Sequence, residues 1–213
     1  MVRAMIEVVF PQSRFEHAST LMQMHHDRKR VFVDRLGWSL ASRSSWLEVD
    51  DFDNDSAVYL LARDPATGRH MASVRLLPTT GPHMLSSLFP NLCACGVPAG
   101  EDCWEISRFL TCPPEVEGTS VVRLHRLLAI GLIEFALMKS ISRYTLVTEA
   151  HRVPALLSIG WLVMPLGLAT PCAGETLQAL EIRVEEQVLA RLRRKAGICS
   201  GVLQFTGDVR VAA

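Results

Sequence analysis

Apolar residues Leu21, Met24, Val31 and Leu36 roughly follow helical spacing and predict a helix over residues 17–36, which Gly37 ends. Residues 5–9 read as a strand. Two further apolar runs, 58–63 and 70–77, flank Asp64-Pro-Ala-Thr-Gly68, a turn composition that predicts an antiparallel hairpin. Pro78-Thr-Thr-Gly-Pro82 breaks the second run. A short helix over 83–92, a Gly-, Cys- and Pro-rich loop over 91–102 and a strand over 104–110 follow.

Ser120 can cap a long apolar helix running through Met138, and strand character resumes over 144–148, which makes a β-α-β unit. Pro154 opens a short helix stopped by Gly160, and 161–164 is another strand. In 176–184, Leu180, Ile182 and Val184 alternate with Glu181 and Arg183, and a basic helix over 185–196 closes at Gly197. Strands alternating with helices after an early hairpin predict an α/β fold, a three-layer α-β-α sandwich with a mixed sheet. With no repeat, low-complexity tract or linker, residues 1–213 are expected to form one domain.

Composition narrows the function. The 213 residues are 49% hydrophobic, enough for a sizeable core, and 22 basic against 22 acidic residues give a formal net charge of +0. Such a balance makes a poor lure for nucleic acid or an anionic membrane, so neither is an expected partner. Six cysteines have no CxxC spacing, and the opening apolar run is too short for a signal or a span; a cytoplasmic location is expected. Cys93-x-Cys95 with Cys103 and Cys112 can be drawn as a zinc site, but ordinary thiols explain them, and no metal is expected.

Charged residues placed in apolar segments ask for a reason, because each costs several kcal/mol to desolvate unless it pairs or holds a ligand. Three segments concentrate them: Arg28-x3-Phe32-x5-Trp38, Glu48-x-Asp50-x2-Asp53, and Arg75-Leu-Leu-Pro-Thr-Thr-Gly81 followed by Trp104-Glu105-Ile-Ser-Arg108-Phe. On these residues the chain resembles the acyl-homoserine-lactone synthases, the LuxI-type autoinducer synthases. The resemblance runs from the first strand to about Gly167.

That resemblance implies a fold similar to the GNAT superfamily of N-acetyltransferases. It also implies an acyltransferase that joins S-adenosylmethionine to an acyl thioester, releasing 5′-methylthioadenosine and an N-acyl-L-homoserine lactone quorum-sensing signal. S-adenosylmethionine is then a substrate, and no cofactor is expected. An α-amine with a reference pKa of about 8 must lose a proton before attacking a thioester. Glu105 is the candidate base, directly or through a water; pairing with Arg108 or Arg75 to hold the sheet is the other reading of it.

Asp50 and Asp53 suit the cationic end of the substrate, and Arg28 and Arg108 suit its carboxylate, with no way to assign which arginine does which. Arg75 joins Glu105, Arg108 and Asp50 in the expected catalytic group. Phe32 and Trp38 offer faces for adenine or the sulfonium, although core packing accounts equally for Phe32. Backbone N–H groups near strand 104–110 are expected to stabilise the oxyanion, with Ser107 a helper or a plain strand serine. Thr145, Thr148 and Trp161 are expected to line the acyl slot; the two threonines lie on opposite strand faces, so only one can look into it.

The acyl donor stays open between acyl carrier protein and acyl-CoA. The place of the pyrophosphate loop of general acetyltransferases reads Pro113-Pro-Glu-Val-Glu-Gly-Thr-Ser120, which is acidic. His151, Arg152, Arg191, Arg193, Arg194 and Lys195 offer a basic surface for an acidic carrier, or simply a solvated face. The rival readings are a GNAT-like N-acyltransferase acting on another amine and a non-catalytic binding protein of the same fold.

Overall fold

The computed structural model describes residues 5–38, 40, 42–112, 121–172 and 174–205. Contacts divide the chain into two compact units, one of Met1–Arg75, Arg108–Gly131 and Val202–Ala213, the other of Leu76–Ser107 and Leu132–Gly201.

In the first unit, β1 (Ile6–Val9) pairs antiparallel with β2 (Val58–Arg63), Ile6 opposite Ala62, and parallel with β9 (Leu203–Phe205). β2 is apolar at Val58, Tyr59, Leu60, Leu61 and Ala62, and all are buried, the pattern of a strand covered on both faces. β3 (His70–Pro78) lies beside it, after the expected turn: Asp64 Oδ1 accepts from the N–H groups of Ala66 at 2.7 Å and Thr67 at 3.0 Å. Gly68, at φ +70°, supplies the left-handed residue that this turn needs.

The helix expected over 17–36 divides. α1 (Ala18–Arg28) is followed by a π-helical stretch, Lys29–Arg35, in which Leu36 N–H donates to Val31 O and Trp38 N–H to Phe32 O, before Gly37 at φ +69° ends it. The apolar spacing across 21–36 is the same for either winding, so the change of pitch leaves no mark in the pattern. Loop residue Glu48 is anchored to α1 through its N–H, which donates to His25 O at 3.1 Å.

In the second unit, β4 (Cys103–Thr111) begins parallel to β5 (Arg143–Glu149), with Glu105 opposite Thr145. α2 (Met84–Leu88) and a 3-10 turn, Pro90–Leu92, replace the single short helix expected over 83–92. α3 (Val121–Met138) makes the crossover, as expected of the β-α-β reading; its Ser120 cap lies outside the described residues. Leu132, Ile133, Phe135 and Ala136 are fully buried, each large side chain contributing roughly 1.5–3 kcal/mol. Tyr144 Oη donates to Leu132 O at 2.9 Å, which turns the Tyr144 face of β5 toward α3 and the Thr145 face away.

β8 (Glu175–Arg183) runs antiparallel to β5 on one side and to β6 (Leu162–Pro165) on the other, and β7 (Thr170–Cys172), unread in the sequence, also pairs with it. Strand pairings are thus both parallel and antiparallel, with helices alongside, as a mixed-sheet α/β fold requires. Glu181 departs from the expected exposed alternation: it is buried between strands and paired with Arg143 and Arg183. α4 (Val153–Ile159) and α5 (Glu186–Ala196) end on left-handed Gly160 and Gly197. No helix of the described residues is long and apolar enough to cross a membrane.

Candidate active site

Within the first unit, α1, β3 and the second half of β4 bring three arginines onto the acidic loop. Arg28 donates from Nη1 and Nη2 to the two oxygens of Asp53 at 2.8 and 3.0 Å, and from Nε to Glu48. Arg75 grips Asp50 with the same two-pronged geometry, and its Nη1 lies 2.8 Å from Asp53 Oδ1. Arg108 reaches Glu48 Oε1 through Nε and Nη2, at 3.1 and 2.9 Å, and Asp50 Oδ2 at 2.7 Å. Three guanidinium groups therefore meet three carboxylates, with Arg28, Arg75 and Glu48 at most 1% exposed. Paired forks of this kind are the form in which buried charge is tolerated.

Local backbone supports the cluster. Asp53 Oδ2 accepts the N–H of Asp50 and Asp50 Oδ1 that of Phe52, each at 2.9 Å, so the loop turns on its own acids. Tyr59 Oη donates to Asp53 Oδ1 at 2.8 Å. Arg108 sits at φ +52° inside a strand, a strained conformation held by its partners. Burial opposes ionisation of Asp53, yet the Arg28 and Arg75 charges hold its carboxyl far below the usual range. Burial likewise works against Arg75, and the Asp53 and Asp50 carboxylates outweigh it. Burial and then Asp53 push the Tyr59 phenol well up.

Phe32 and Trp38 stack on each other, centroids 4.8 Å apart and rings 11° from parallel, and the Arg108 guanidinium lies 6.0 Å over Phe32. The expected residues Arg28, Phe32, Trp38, Asp50, Asp53, Arg75 and Arg108 are thus assembled together, the charged ones bonded to one another. Glu48, although part of the acidic run, was not among the expected site residues; it is fully buried and bridges Arg28 to Arg108. Tyr59 was missed because it looks like one more apolar strand position.

In the second unit, the Glu105 carboxylate faces the start of α2, accepting from Met84 N–H at 2.9 Å and Leu85 N–H at 2.6 Å; it is 1% exposed. Thr79, from the Pro-Thr-Thr-Gly break, donates to Cys103 O at 2.7 Å and ties that segment to the start of β4. Thr145 is buried beside Glu105 in register, on the same face, and its hydroxyl has no hydrogen-bond partner among the described residues. Thr148 is on the opposite face, opposite Gln178, so the structure separates the two threonines; Trp161 is buried just ahead of β6. Of the basic surface, Arg193 is paired with Glu134 and Arg152 with Glu149, while Arg191, Arg194 and Lys195 are exposed. The acidic segment 113–120 lies outside the described residues. Burial raises the Cys103 thiol, and burial with Asp27 pushes Cys112 up to about 12, which leaves both poor nucleophiles near neutrality.

The autoinducer synthase family model matches residues 12–192. The chain belongs to this family. Isovaleryl-homoserine lactone synthase of Bradyrhizobium diazoefficiens is 30% identical over 201 residues, 94% of this chain and 89% of that one. A solved structure of a CoA-dependent acyl-homoserine lactone synthase, BjaI, with SAM and isopentyl-CoA superposes with a TM-score of 0.87 at 30% identity, covering 96% of this chain and 94% of that one. An N-acetyltransferase of Lactobacillus plantarum, at 15% identity and a TM-score of 0.56 over 85% of this chain and 99% of that one, shares the fold alone. The chain thus has a GNAT-like α/β fold, as the family resemblance implies.

Proposed function

We propose that this autoinducer synthase acylates the α-amine of S-adenosylmethionine and closes the product to an N-acyl-L-homoserine lactone. The amine loses a proton to Glu105, directly or through a water, and attacks the thioester carbonyl; the C–S bond breaks and the thiol leaves with a proton. The substrate carboxylate then attacks the carbon bearing the sulfonium, and neutral 5′-methylthioadenosine departs, an intramolecular step favoured by a bent bound conformer. The observation that carries the reading is the buried cluster of Arg28, Arg75 and Arg108 with Glu48, Asp50 and Asp53. It offers both signs of charge to a molecule that bears an ammonium, a sulfonium and a carboxylate at once. Arg28 and Arg108 receive the carboxylate, Asp50 and Asp53 the cationic end, and Phe32 and Trp38 the adenine or sulfonium. Thr145 and Trp161 are assigned to the acyl slot, Thr145 in preference to Thr148 on the opposite face because its buried hydroxyl has no hydrogen-bond partner among the described residues.

Acyl-CoA is the donor favoured here over acyl carrier protein. Supporting it is the near full-length similarity to an isovaleryl-homoserine lactone synthase and to a CoA-dependent synthase. A cytoplasmic location, where both substrates are made, goes with this reading. Incubating the purified chain with S-adenosylmethionine and a panel of acyl-CoA and acyl-carrier thioesters, with lactone and methylthioadenosine read by mass spectrometry, tests it. Neither product from any donor sinks the function; product from carrier thioesters alone sinks the donor assignment.

A further inference from the structure

Asp27, His70 and Cys112 meet in the first unit, and the proposed reaction uses none of them. Their donor atoms lie within 4.8 Å of one another, and all three residues are buried. Asp27 Oδ2 is 2.9 Å from His70 Nδ1 and 3.3 Å from Cys112 Sγ, and Sγ to Nδ1 is 3.6 Å. A tetrahedral zinc with bonds of about 2.3 Å to sulfur and about 2.0–2.2 Å to nitrogen and oxygen sets its ligand atoms roughly 3.3–3.6 Å apart. The sulfur-to-nitrogen separation already matches the upper end of that range, and the two separations to the Asp27 oxygen need to open by a few tenths of an ångström. Arg30 lies 3.4 Å from the other oxygen, Asp27 Oδ1, and so favours Oδ2 facing inward.

A nucleophilic triad does not fit the same atoms. That chemistry needs a base that takes the thiol proton and a carboxylate behind the base; here the carboxylate oxygen itself accepts from both the thiol and the imidazole. We infer that Asp27, His70 and Cys112 form a binding site for a divalent cation of the zinc class, with one oxygen, one nitrogen and one sulfur ligand. Three protein donors of mixed softness are the set that keeps a fourth position for a small ligand such as water. Asp27 directly precedes Arg28, His70 shares β3 with Arg75, and Cys112 follows the strand that carries Arg108. A cation there cross-links the three elements that aim the site arginines.

The test uses the full chain without an affinity tag, stripped with a chelator and titrated with Co²⁺ and then Zn²⁺. One equivalent of cobalt with a thiolate-to-cobalt charge-transfer band, displaced by zinc, and a rise in melting temperature with zinc are expected. Cys112→Ser should lose the band and weaken zinc at least about tenfold, whereas Cys95→Ser and Cys199→Ser, at exposed thiols, should retain it. Absence of the band in the unsubstituted protein, or its survival in Cys112→Ser, overturns the site. X-ray absorption on the unsubstituted zinc form needs no variant: one sulfur among nitrogen and oxygen ligands supports the assignment, and none or several overturns it. Metal binding is read without turnover, so the result stands apart from the proposed reaction.

Discussion

The arginine and carboxylate cluster of the first unit and the Glu105 and Thr145 face of the second hold their polar groups in opposite ways. In the cluster, side chains answer side chains: Arg28, Arg75 and Arg108 against Glu48, Asp50 and Asp53, charge for charge. On the second face, Glu105 is held by backbone N–H groups and the Thr145 hydroxyl by no hydrogen bond among the described residues. A network of mutual ion pairs resists the removal of any member, because each loss strands a buried charge. On the proposed reading the first arrangement positions a charged substrate, and the second serves the chemistry and the acyl chain.

Glu105→Gln should break the chemical half hardest. Turnover to lactone is expected to fall by roughly 10²–10⁴-fold, with S-adenosylmethionine affinity by calorimetry changed only a few-fold. The amide also loses one acceptor for the Met84 or Leu85 N–H, so stability should drop by about 1–3 kcal/mol. The two roles separate in the pH profile. A base shows an ionisation in the rate of the parent that vanishes in the variant, whereas a carboxylate that only holds α2 leaves the profile unchanged and scales the rate with the folded fraction.

Asp53→Asn attacks the positioning half. It leaves Arg28 with Glu48 and Arg75 with Asp50 as anionic partners but removes the carboxylate the two arginines share, and unbalancing a buried ion-pair network in this way costs up to about 3–5 kcal/mol. In a chain of this size that lowers the melting temperature by on the order of ten degrees, and S-adenosylmethionine binding should weaken with it. An unchanged melting temperature would mean that the pairs contribute little to the fold.

The same carboxyl sets the acid limb. Its folded pKa is depressed, so its contribution to stability is complete above the unfolded value of about 3.9 and is lost as pH falls through that value toward the folded one. Denaturation midpoints followed from pH 6 downward should therefore fall less steeply below about pH 5 in Asp53→Asn than in the parent. Parallel curves would contradict the assignment of Arg28 and Arg75 as the cause of the depression.

The family resemblance makes the charged site legible in the sequence, because it singles out Arg28, Asp50, Asp53, Arg75 and Arg108, which the structure brings together. Glu48 escaped: in one dimension it is another acid beside an acidic pair, and only the fold puts its two oxygens between Arg28 and Arg108. The β-α-β unit, the early hairpin and the glycine stops were readable from period and turn chemistry. The π-helical winding after Arg28, the left-handed Arg108 and strand β9 were not, since each depends on tertiary pairing and not on local pattern. In β4 burial changes phase between Glu105 and Ile106, so strict alternation from either end misplaces the other half.

Thr145→Val is the smallest change expected and the sharpest on the second face. The side chains are nearly the same shape, and the hydroxyl of Thr145 has no hydrogen-bond partner to forfeit among the described residues. Stability should therefore stay within about 1 kcal/mol of the parent, or rise slightly, because a buried unpaired polar atom is removed. If that hydroxyl reads the acyl group, the variant should shift preference among thioesters: donors with an oxygen near the carbonyl should lose up to about tenfold in kcat/KM, and plain alkyl donors should lose nothing, consistent with one hydrogen bond of about 1 kcal/mol. A loss of several kcal/mol in stability would mean that the hydroxyl is bonded within the fold, and an unchanged donor ranking would remove Thr145 from the acyl slot while leaving Glu105, its neighbour in register, untouched.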